Sequence, residues 1–518
     1  MGTFETTETV SRLPAPHPLV LRALLAPLDP VFRAIGHRYG AFIRFVSIAS
    51  PPMLAKVGYW RAVRAADHAR TRVPAFAAFC REQAVTRNAL RHLATPPTDK
   101  ASYVNRWSIA ERCVGGELPS RDTAIDESSG STGTPYNWIR SLHERLTSHV
   151  FISHFARYDY GSEPFITINS FSMGAWATGV NMGIALQRNG IVKNTGPDID
   201  KILHTLEFLG PEQRYLVTGY PPFLKHVIDV ARERAFPLHE YRLMALAGGE
   251  GFCEGLRDYL SSHFSPVYSG YGATDLEIGI AGETPLSVAI RRAAREDEEL
   301  RHALFGDDSR LPMLFQYNPL NHFVERSPDG ELIFTISRLE VLSPRIRYNI
   351  HDEGGVLPFD EMRKRIHGSR HSIREVMGVG QRRPLKLPFL WIYGRKDSTV
   401  SVMGANIYPE DLEQALYEEP ELATITHSFC LGLHEEPDGG VRPLFSFEIS
   451  GEKSAELEAR FGERITERIR MLNGDFREAM LEHPETTTPL IRLFGVGEGP
   501  FAGDAGKIKQ TRIIKVES

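Results

Sequence analysis

Cysteine is scarce: Cys80, Cys113, Cys253 and Cys430 are the only four in 518 residues, far apart and without a CxxC spacing. That excludes a disulfide scaffold and a zinc ribbon and agrees with a reducing compartment. A positive surplus is also missing. Sixty Lys and Arg stand against 65 Asp and Glu, a net charge of −5, so the whole chain has no electrostatic footprint for coating nucleic acid. The first residues show no basic segment followed by an apolar run, so no secretory leader is expected and a cytoplasmic setting is. The GxxxxGK[ST] phosphate loop is absent, as are repeats and low-complexity linkers. One charge-free run, Pro164 to Gln187, is long enough to suggest a membrane span. Asn169, Ser170, Ser172, Asn181 and Gln187 within it predict a buried segment of a folded body instead, and no transmembrane segment is expected.

What is present is ordinary globular composition, 42% hydrophobic and 24% charged, with length for more than one domain. Charge is uneven: residues 1–100 sum to +8, leaving −13 for the rest. Within that basic arm, Leu19 to Ala49 is rich in Leu, Val, Phe and Ile and interrupted by Arg22, Arg33, Arg38 and Arg44. Two readings follow: a surface for acidic partners or a membrane face, or, favoured here, amphipathic helices docked on the body with their arginines in water. From Tyr59 to Ala69 a helix is expected, ending before Pro74. From about 120 to 390, apolar runs alternate with helical patterns. YLVTGY (215–220) and RLMALAGGE (242–250) read as strands around a helix at 223–235, which argues for a largely parallel sheet. Pro328-Asp329-Gly330 between two apolar runs signals a hairpin. Residues 287–306 read as one charged helix in a solvated insertion. After a composition shift near 394, Pro409 opens a helix, strands are expected at 425–433 and 444–449, and a long helix at about 453–481.

Five segments could carry chemistry. Ser128, Ser129, Gly130, Ser131, Thr132 and Gly133, before Thr134 and Pro135, are dense in hydroxyls and glycines. Such a loop can turn backbone N–H groups toward a phosphate, or can be an ordinary Ser/Gly turn. Tyr271, Gly272, Thr274 and Asp275 can place a ring, a hydroxyl and a hard oxygen ligand in one turn, or form a tight turn with a helix cap. Asp352, after Arg347-Tyr348-Asn349-Ile350-His351, can accept from vicinal hydroxyls or end a strand. Gly394-Arg395-Lys396-Asp397, ahead of GANIYP (404–409), can be an interdomain hinge or a charged turn. Lys507, behind Gly503 and Gly506, can reach a charge in another domain or belong to a basic tail.

In this order and spacing the five segments resemble the adenylate-forming superfamily of acyl-CoA synthetases, adenylation domains and luciferases, above all the phenylacetate–CoA ligase family. The likeness rests on TRVPAFAAFCREQ, SSGSTGTP, GRKD and GANIYP and spans about residues 55 to 518. It implies an α/β fold: a large adenylate-forming domain with mixed β-sheets flanked by helices, and a small mobile α+β C-terminal domain. The expected division is a basic helical arm at 1–95 packed on the body, the large ATP- and acyl-binding domain at 96–394, and the small domain at 395–518. By the resemblance, the Ser128–Pro135 loop holds the ATP β- and γ-phosphates, and Gly248, Gly249 and Glu250 line the adenine pocket. Tyr271 stacks on adenine beside Gly272, and Thr274 contacts the α-phosphate. Asp275 holds Mg²⁺ where relatives have Glu. Asp352 binds the ribose, assisted by Arg395; Asp397 is the hinge; Lys507 contacts the carboxylate and the α-phosphate. The loop departs from the pattern: Thr134 and Tyr136 stand where relatives carry a lysine, and Ile350-His351-Asp352 replaces Thr-Gly-Asp. One cation is thereby lost from the phosphates unless another basic residue substitutes.

The activity so implied is ATP-dependent activation of an aryl or hydrophobic carboxylic acid, release of pyrophosphate and transfer to the CoA thiol, with ATP, Mg²⁺ and CoA as cofactors. The pocket at Phe171–Trp176 and Tyr220–Phe223 suits such an acid or is plain core. Alternative acceptors are a carrier protein, which the basic arm would suit if acidic, a protein cysteine or an amine. A nucleotide-binding protein without turnover is the remaining alternative. No nucleic-acid partner is expected, the oligomeric state is open with a dimer among the options, and Cys253 reads as a buried thiol rather than a nucleophile.

Overall fold

The computed structural model describes residues 15–127, 136–174, 177–308, 310–369, 371–377, 383–395, 400–403, 405–435, 441–502 and 512–514. The chain divides into two compact units, one of 1–196, 268–306 and 314–392, the other of 197–267, 307–313 and 393–518.

The first unit opens with helices α1 (Pro18–Leu25), α2 (Leu28–Gly36), α3 (Tyr39–Ile48) and α4 (Pro51–Arg72). Proline takes the first turn of α1 and α4, where its missing N–H costs no hydrogen bond, and α4 gives way to a new helix at Pro74. Phe42 and Val46 of α3 pack with Phe151, Phe155 and Tyr158 of the helix Leu142–Tyr160. That helix starts where the Ser141 hydroxyl accepts from the Glu144 N–H and stops at Gly161, φ +102°.

Seven strands of this unit are ordered 322–326, 331–336, 348–357, 389–395, 313–317, 277–282 and 267–273. The hairpin predicted around Pro328-Asp329-Gly330 is there, His322 opposite Ile336. Pairing runs antiparallel between 331–336 and 348–357, and again between 267–273 and 277–282. The largely parallel sheet expected from βα alternation therefore holds antiparallel pairs beside parallel ones, among them Ile166–Asn169 with Val192–Asn194 and, in the second unit, Arg214–Gly219 with Arg242–Gly248. Of these, 166–169, 214–219 and 242–248 are buried along nearly their whole length, which leaves no alternation to read, whereas 192–194 is largely exposed. The charge-free run resolves into the buried strand 166–169 and the helix Ala177–Leu186. No helix among the described residues is long and apolar enough to cross a membrane.

Residues 287–306 correct a second expectation. They form two helices, Pro285–Glu296 and Glu298–Phe305, split at Asp297, whose carboxylate caps the second one. They are no solvated insertion: Leu286, Ile290, Ala294, Leu300 and Leu304 are fully buried, and Phe305 meets Trp391 edge-on at 5.7 Å. Most of the charges that suggested solvation face outward, but Arg291 is itself buried, 2% exposed.

In the second unit, Thr426–Glu435, Val441–Ile449 and Leu490–Phe494 form a three-stranded sheet. The helix Ala455–Leu472 covers it, burying Phe461, Ile465 and Ile469. The single long helix expected over 453–481 breaks at Asn473, whose side chain accepts from the Phe476 N–H and so starts a new helix, Gly474–Glu482.

Candidate functional site

The first unit gathers several of the named residues on neighbouring strands. Tyr271 lies in the strand Val267–Ala273, and its hydroxyl donates to Asp352 Oδ2 at 2.6 Å. Its ring lies 5.9 Å from that of Phe315 and 6.1 Å from that of Phe334, tilted by about a third of a right angle to each. Asp352 does not end a strand; it sits inside Tyr348–Leu357, one residue after His351 at φ +66°. Gly272 faces the return strand so closely that a Cβ would stand 2.8 Å from the Gly279 nitrogen. Only glycine lets the two strands approach there.

Thr274, Asp275 and Leu276 form the turn between Ala273 and Glu277, paired across it, and no helix cap. Arg140 pins this turn, donating to the Thr274 carbonyl at 2.5 Å and the Leu276 carbonyl at 2.7 Å. Arg345 donates to the same Leu276 carbonyl at 2.6 Å. Asp275 accepts from the Trp138 indole N–H at 3.0 Å and pairs with Lys100 at 3.1 Å. The Trp138 ring is ringed by the guanidiniums of Arg112, Arg345 and Arg140 at 5.1, 5.3 and 6.0 Å.

Lys100 arrives from the segment after the Pro96-Pro97 turn. Thr98 lies parallel to the start of the strand 348–357, accepting from the Asn349 N–H at 2.8 Å. Asp99 then caps the tight turn Lys100–Val104 by accepting from the Ser102 N–H. The Lys100 ammonium thereby also lies 4.7 Å above the Tyr136 ring, the residue that follows the hydroxyl-rich loop. The strands Thr123–Glu127 and Asn137–Ser141 pair with Glu127 opposite Asn137 and so hold the two ends of that loop together.

Behind the turn is a buried charge cluster. Glu277 binds His322 at 2.6 Å and Arg338. Burial alone would raise its carboxyl, but Arg338 and His322 hold it down at about 2. Burial, with the charges of Asp275 and Asp99, pushes the Tyr348 phenol well above its ordinary value, so it stays protonated.

Gly248, Gly249 and Glu250 belong to the other unit, at the end of the strand Arg242–Gly248, where Gly249 faces the Tyr220 ring. The loop Ser128–Pro135, Asp397 and Lys507 lie outside the described residues, as does the side chain of Arg395. Cys253 is buried, 7% exposed, and its Sγ accepts from the Leu256 N–H at 3.3 Å.

The donor set suits a nucleoside better than a metal. A ring flanked by apolar neighbours beside a carboxylate is a platform for a base and its hydroxyls. Asp275, in contrast, is already neutralised by an ammonium and an indole N–H and does not fit a divalent cation as placed. No group of three or more His, Cys, Asp or Glu that could hold a metal occurs among the described residues. Lys100, Trp138, Arg140 and Arg345 had no local sequence signal; only the fold brings them to Asp275.

No protein-family model matches the sequence, and no curated protein matches it. Solved structures do. The chain is similar to 2-hydroxyisobutyryl-CoA ligase in the postadenylation state in complex with R3-HIB-AMP, with TM-score 0.64 and 13% identity over 88% of either chain. It is also similar to that ligase with 2-HIB-AMP and CoA in the thioesterification state, with TM-score 0.54 and 14% identity over 91% of this chain and 92% of the other. An open conformation with the same two ligands gives TM-score 0.52 and 13% identity over 88% and 90%. This chain has the fold of the adenylate-forming CoA ligases, the fold that the ordered motifs implied.

Proposed function

We propose that this chain activates a carboxylic acid with ATP, releasing pyrophosphate, and passes the acyl group from the adenylate to the CoA thiol. The observation that carries the reading is the convergence of Tyr271, Thr274, Asp275 and Asp352 around the turn 274–276 in a chain of this fold. The similar structures named above hold acyl-AMP and CoA, which supports the same two half-reactions here. In the first, a carboxylate oxygen attacks the α-phosphorus and pyrophosphate leaves. In the second, the thiol sulfur attacks the acyl carbon, AMP leaves and the thiol proton is released.

Both partners of the first step are anions, so the chain's work is positioning and charge neutralisation. In this reading Tyr271 and the apolar rings beside it hold the base, Asp352 accepts from the ribose hydroxyls, and Thr274 meets the α-phosphate. Gly248, Gly249 and Glu250 line the adenine pocket, Gly272 gives the strand room to turn, and the Ser128–Gly133 loop cradles the phosphates. Lys100 supplies the cation that Thr134 and Tyr136 do not. Lys507 neutralises the attacking carboxylate, Arg395 assists Asp352 at the ribose, and Asp397 is the hinge on which the small domain (395–518) turns between the half-reactions. The arm (1–95) and the large domain (96–394) complete the division. The finer reading is a phenylacetate–CoA ligase-like enzyme for an aryl or hydrophobic acid.

Pyrophosphate release across a panel of aryl and fatty acids, with and without CoA, tests this. Acid-dependent release accelerated by CoA is the expected result, abolished in Lys507→Ala. Release that stops after one turnover despite CoA would assign another acceptor, and no release with any acid would leave a nucleotide-binding protein without turnover.

A further inference from the structure

The arm keeps apolar side chains in water. Leu21 and Leu25 of α1 and Phe42 and Val46 of α3 are buried against the body, as the amphipathic pattern predicts. On the other side, Leu19, Val20 and Leu24 are 67%, 48% and 45% exposed, and Val31 is 50% exposed. Helix α2 buries no residue at all. Between these side chains stand the exposed arginines Arg22, Arg33, Arg38 and Arg44. Asp29 is the one acidic residue from 15 to 49, and it is committed inward, to Arg61 at 2.9 Å and Arg64 at 2.6 Å. The outer face therefore combines apolar side chains with cations that no carboxylate of the same stretch offsets.

A cavity of about 390 Å³ opens beneath this face, between α1, α2 and α4. Leu21 and Val63 are on its apolar side; Arg22, Arg33 and Arg64 line it together with His68 and two carboxylates, Asp29, held by Arg61 and Arg64, and Asp67, paired with Arg70. Arg64 is 8% exposed, and its Nε has no hydrogen-bond partner among the described residues. Short consecutive helices with apolar and arginine side chains on one face settle at the boundary of headgroups and acyl chains. Anionic headgroups attract each arginine there, and a phosphate is the anion whose oxygens match guanidinium donors. An acidic protein would match the charge but would leave apolar side chains of two separate helices without a common groove.

We propose that the arm, α1 to α3, docks on an anionic phospholipid surface, with Leu19, Leu24 and Val31 entering the headgroup layer and headgroup phosphates meeting the exposed Arg22 and Arg33. The full chain is sedimented with vesicles of phosphatidylcholine alone and of phosphatidylcholine with an equal part of phosphatidylglycerol. Binding to the anionic vesicles is expected to exceed binding to the neutral ones by about tenfold or more and to fall as salt is raised. Leu24→Glu with Val31→Glu, both exposed positions, is expected to lose about tenfold of that binding at an unchanged circular dichroism spectrum. Arg33→Glu with Arg38→Glu is expected to lose it as well. A chain that stays in the supernatant with anionic vesicles, or a Leu24→Glu/Val31→Glu chain that binds like the parent, overturns the proposal. These outcomes do not depend on whether the chain turns over ATP.

Discussion

Lys100 lies against Tyr136, which in the proposed reading follows a phosphate loop that lacks its usual lysine. Its ammonium is held by Asp275 and the Tyr136 ring, so it is oriented before any anion arrives. A contact between a charged donor and a phosphate is worth about 1.5–3 kcal/mol. Lys100→Met is therefore expected to raise the KM for ATP about tenfold or more, and Lys100→Arg to keep most of the affinity. Titration of ATP into the two variants by calorimetry, alongside pyrophosphate release, checks this; equal affinity in Lys100→Met would remove Lys100 from the site. Glu277 plays a different part. With a folded pKa of about 2 against an ordinary 4.5, it contributes stability above about pH 4.5 that is lost as pH falls toward 2. Glu277→Gln leaves Arg338 buried beside a neutral amide, and breaking a buried pair in this way costs about 3–5 kcal/mol. Urea unfolding of the variant at neutral pH measures that loss, which should shrink below pH 3.

At the scale of elements, the helix Pro409–Tyr417 shows what the sequence pattern could and could not say. Its start was legible: proline at the first turn and acids behind it, where the helix dipole favours negative charge. That Asp411 is buried and Glu410 half-buried was not. Burial pushes Glu410 up to about 7 and Asp411 up to about 6, although Asn473 donates to Asp411 at 2.8 Å and Arg310 lies nearby. Folded pKa values raised above 4.5 and 3.8 mean that the neutral forms favour the fold. Their contribution is complete below about pH 4 and is lost as pH rises through 6 and 7. The helix's unit is expected to melt at lower temperature at pH 8 than at pH 5.5, and Glu410→Gln to flatten that dependence; melts across this range decide it. The same contrast runs through the fold. Strands 215–220 and 242–250 and the hairpin at 328–330 could be read from apolar runs and turn residues, because those signals are local. The splits at Asp297 and Asn473 could not, because a capping side chain inside a helical pattern resembles a surface position until its N–H partners, Leu300 and Phe476, are known. The resemblance assigned Tyr271 and Asp352 to one nucleotide, and the fold brings the two into contact; the Lys100–Asp275–Trp138 contact joins residues 38 to 175 positions apart in sequence and has no local trace.

For the whole molecule, the second unit joins the C-terminal region to residues 197–267, and its internal contacts state what a swinging small domain would have to undo. Glu413 accepts from the Cys253 N–H at 2.8 Å, and Lys225 donates to the Thr426 carbonyl at 2.8 Å. Gly255 lies so close to Tyr417 that a Cβ would stand 2.5 Å from the Tyr417 Cβ. His226 meets the His427 ring at 5.9 Å and Tyr259 the Tyr417 ring at 6.2 Å; contacts of this kind can open locally at a cost below that of global unfolding. A side chain at Gly255 cannot fit without separating the helix Glu254–Ser261 from the helix Pro409–Tyr417, whereas neither helix depends on the other for its own hydrogen bonds. Gly255→Leu is thus expected to raise amide exchange at Cys253 and along 409–417 while the strands 426–435 and 441–449 stay protected by their own core of Phe429, Phe445 and Phe447. Under the proposed reaction, the same variant shifts the balance between half-reactions: pyrophosphate release and thioester formation change by different factors, because the small domain serves both steps in different positions. Exchange that rises throughout the second unit would instead mean that residues 393–518 do not hold their fold apart from 197–267, and that a rotation about Asp397 carries more of the chain than the small domain alone.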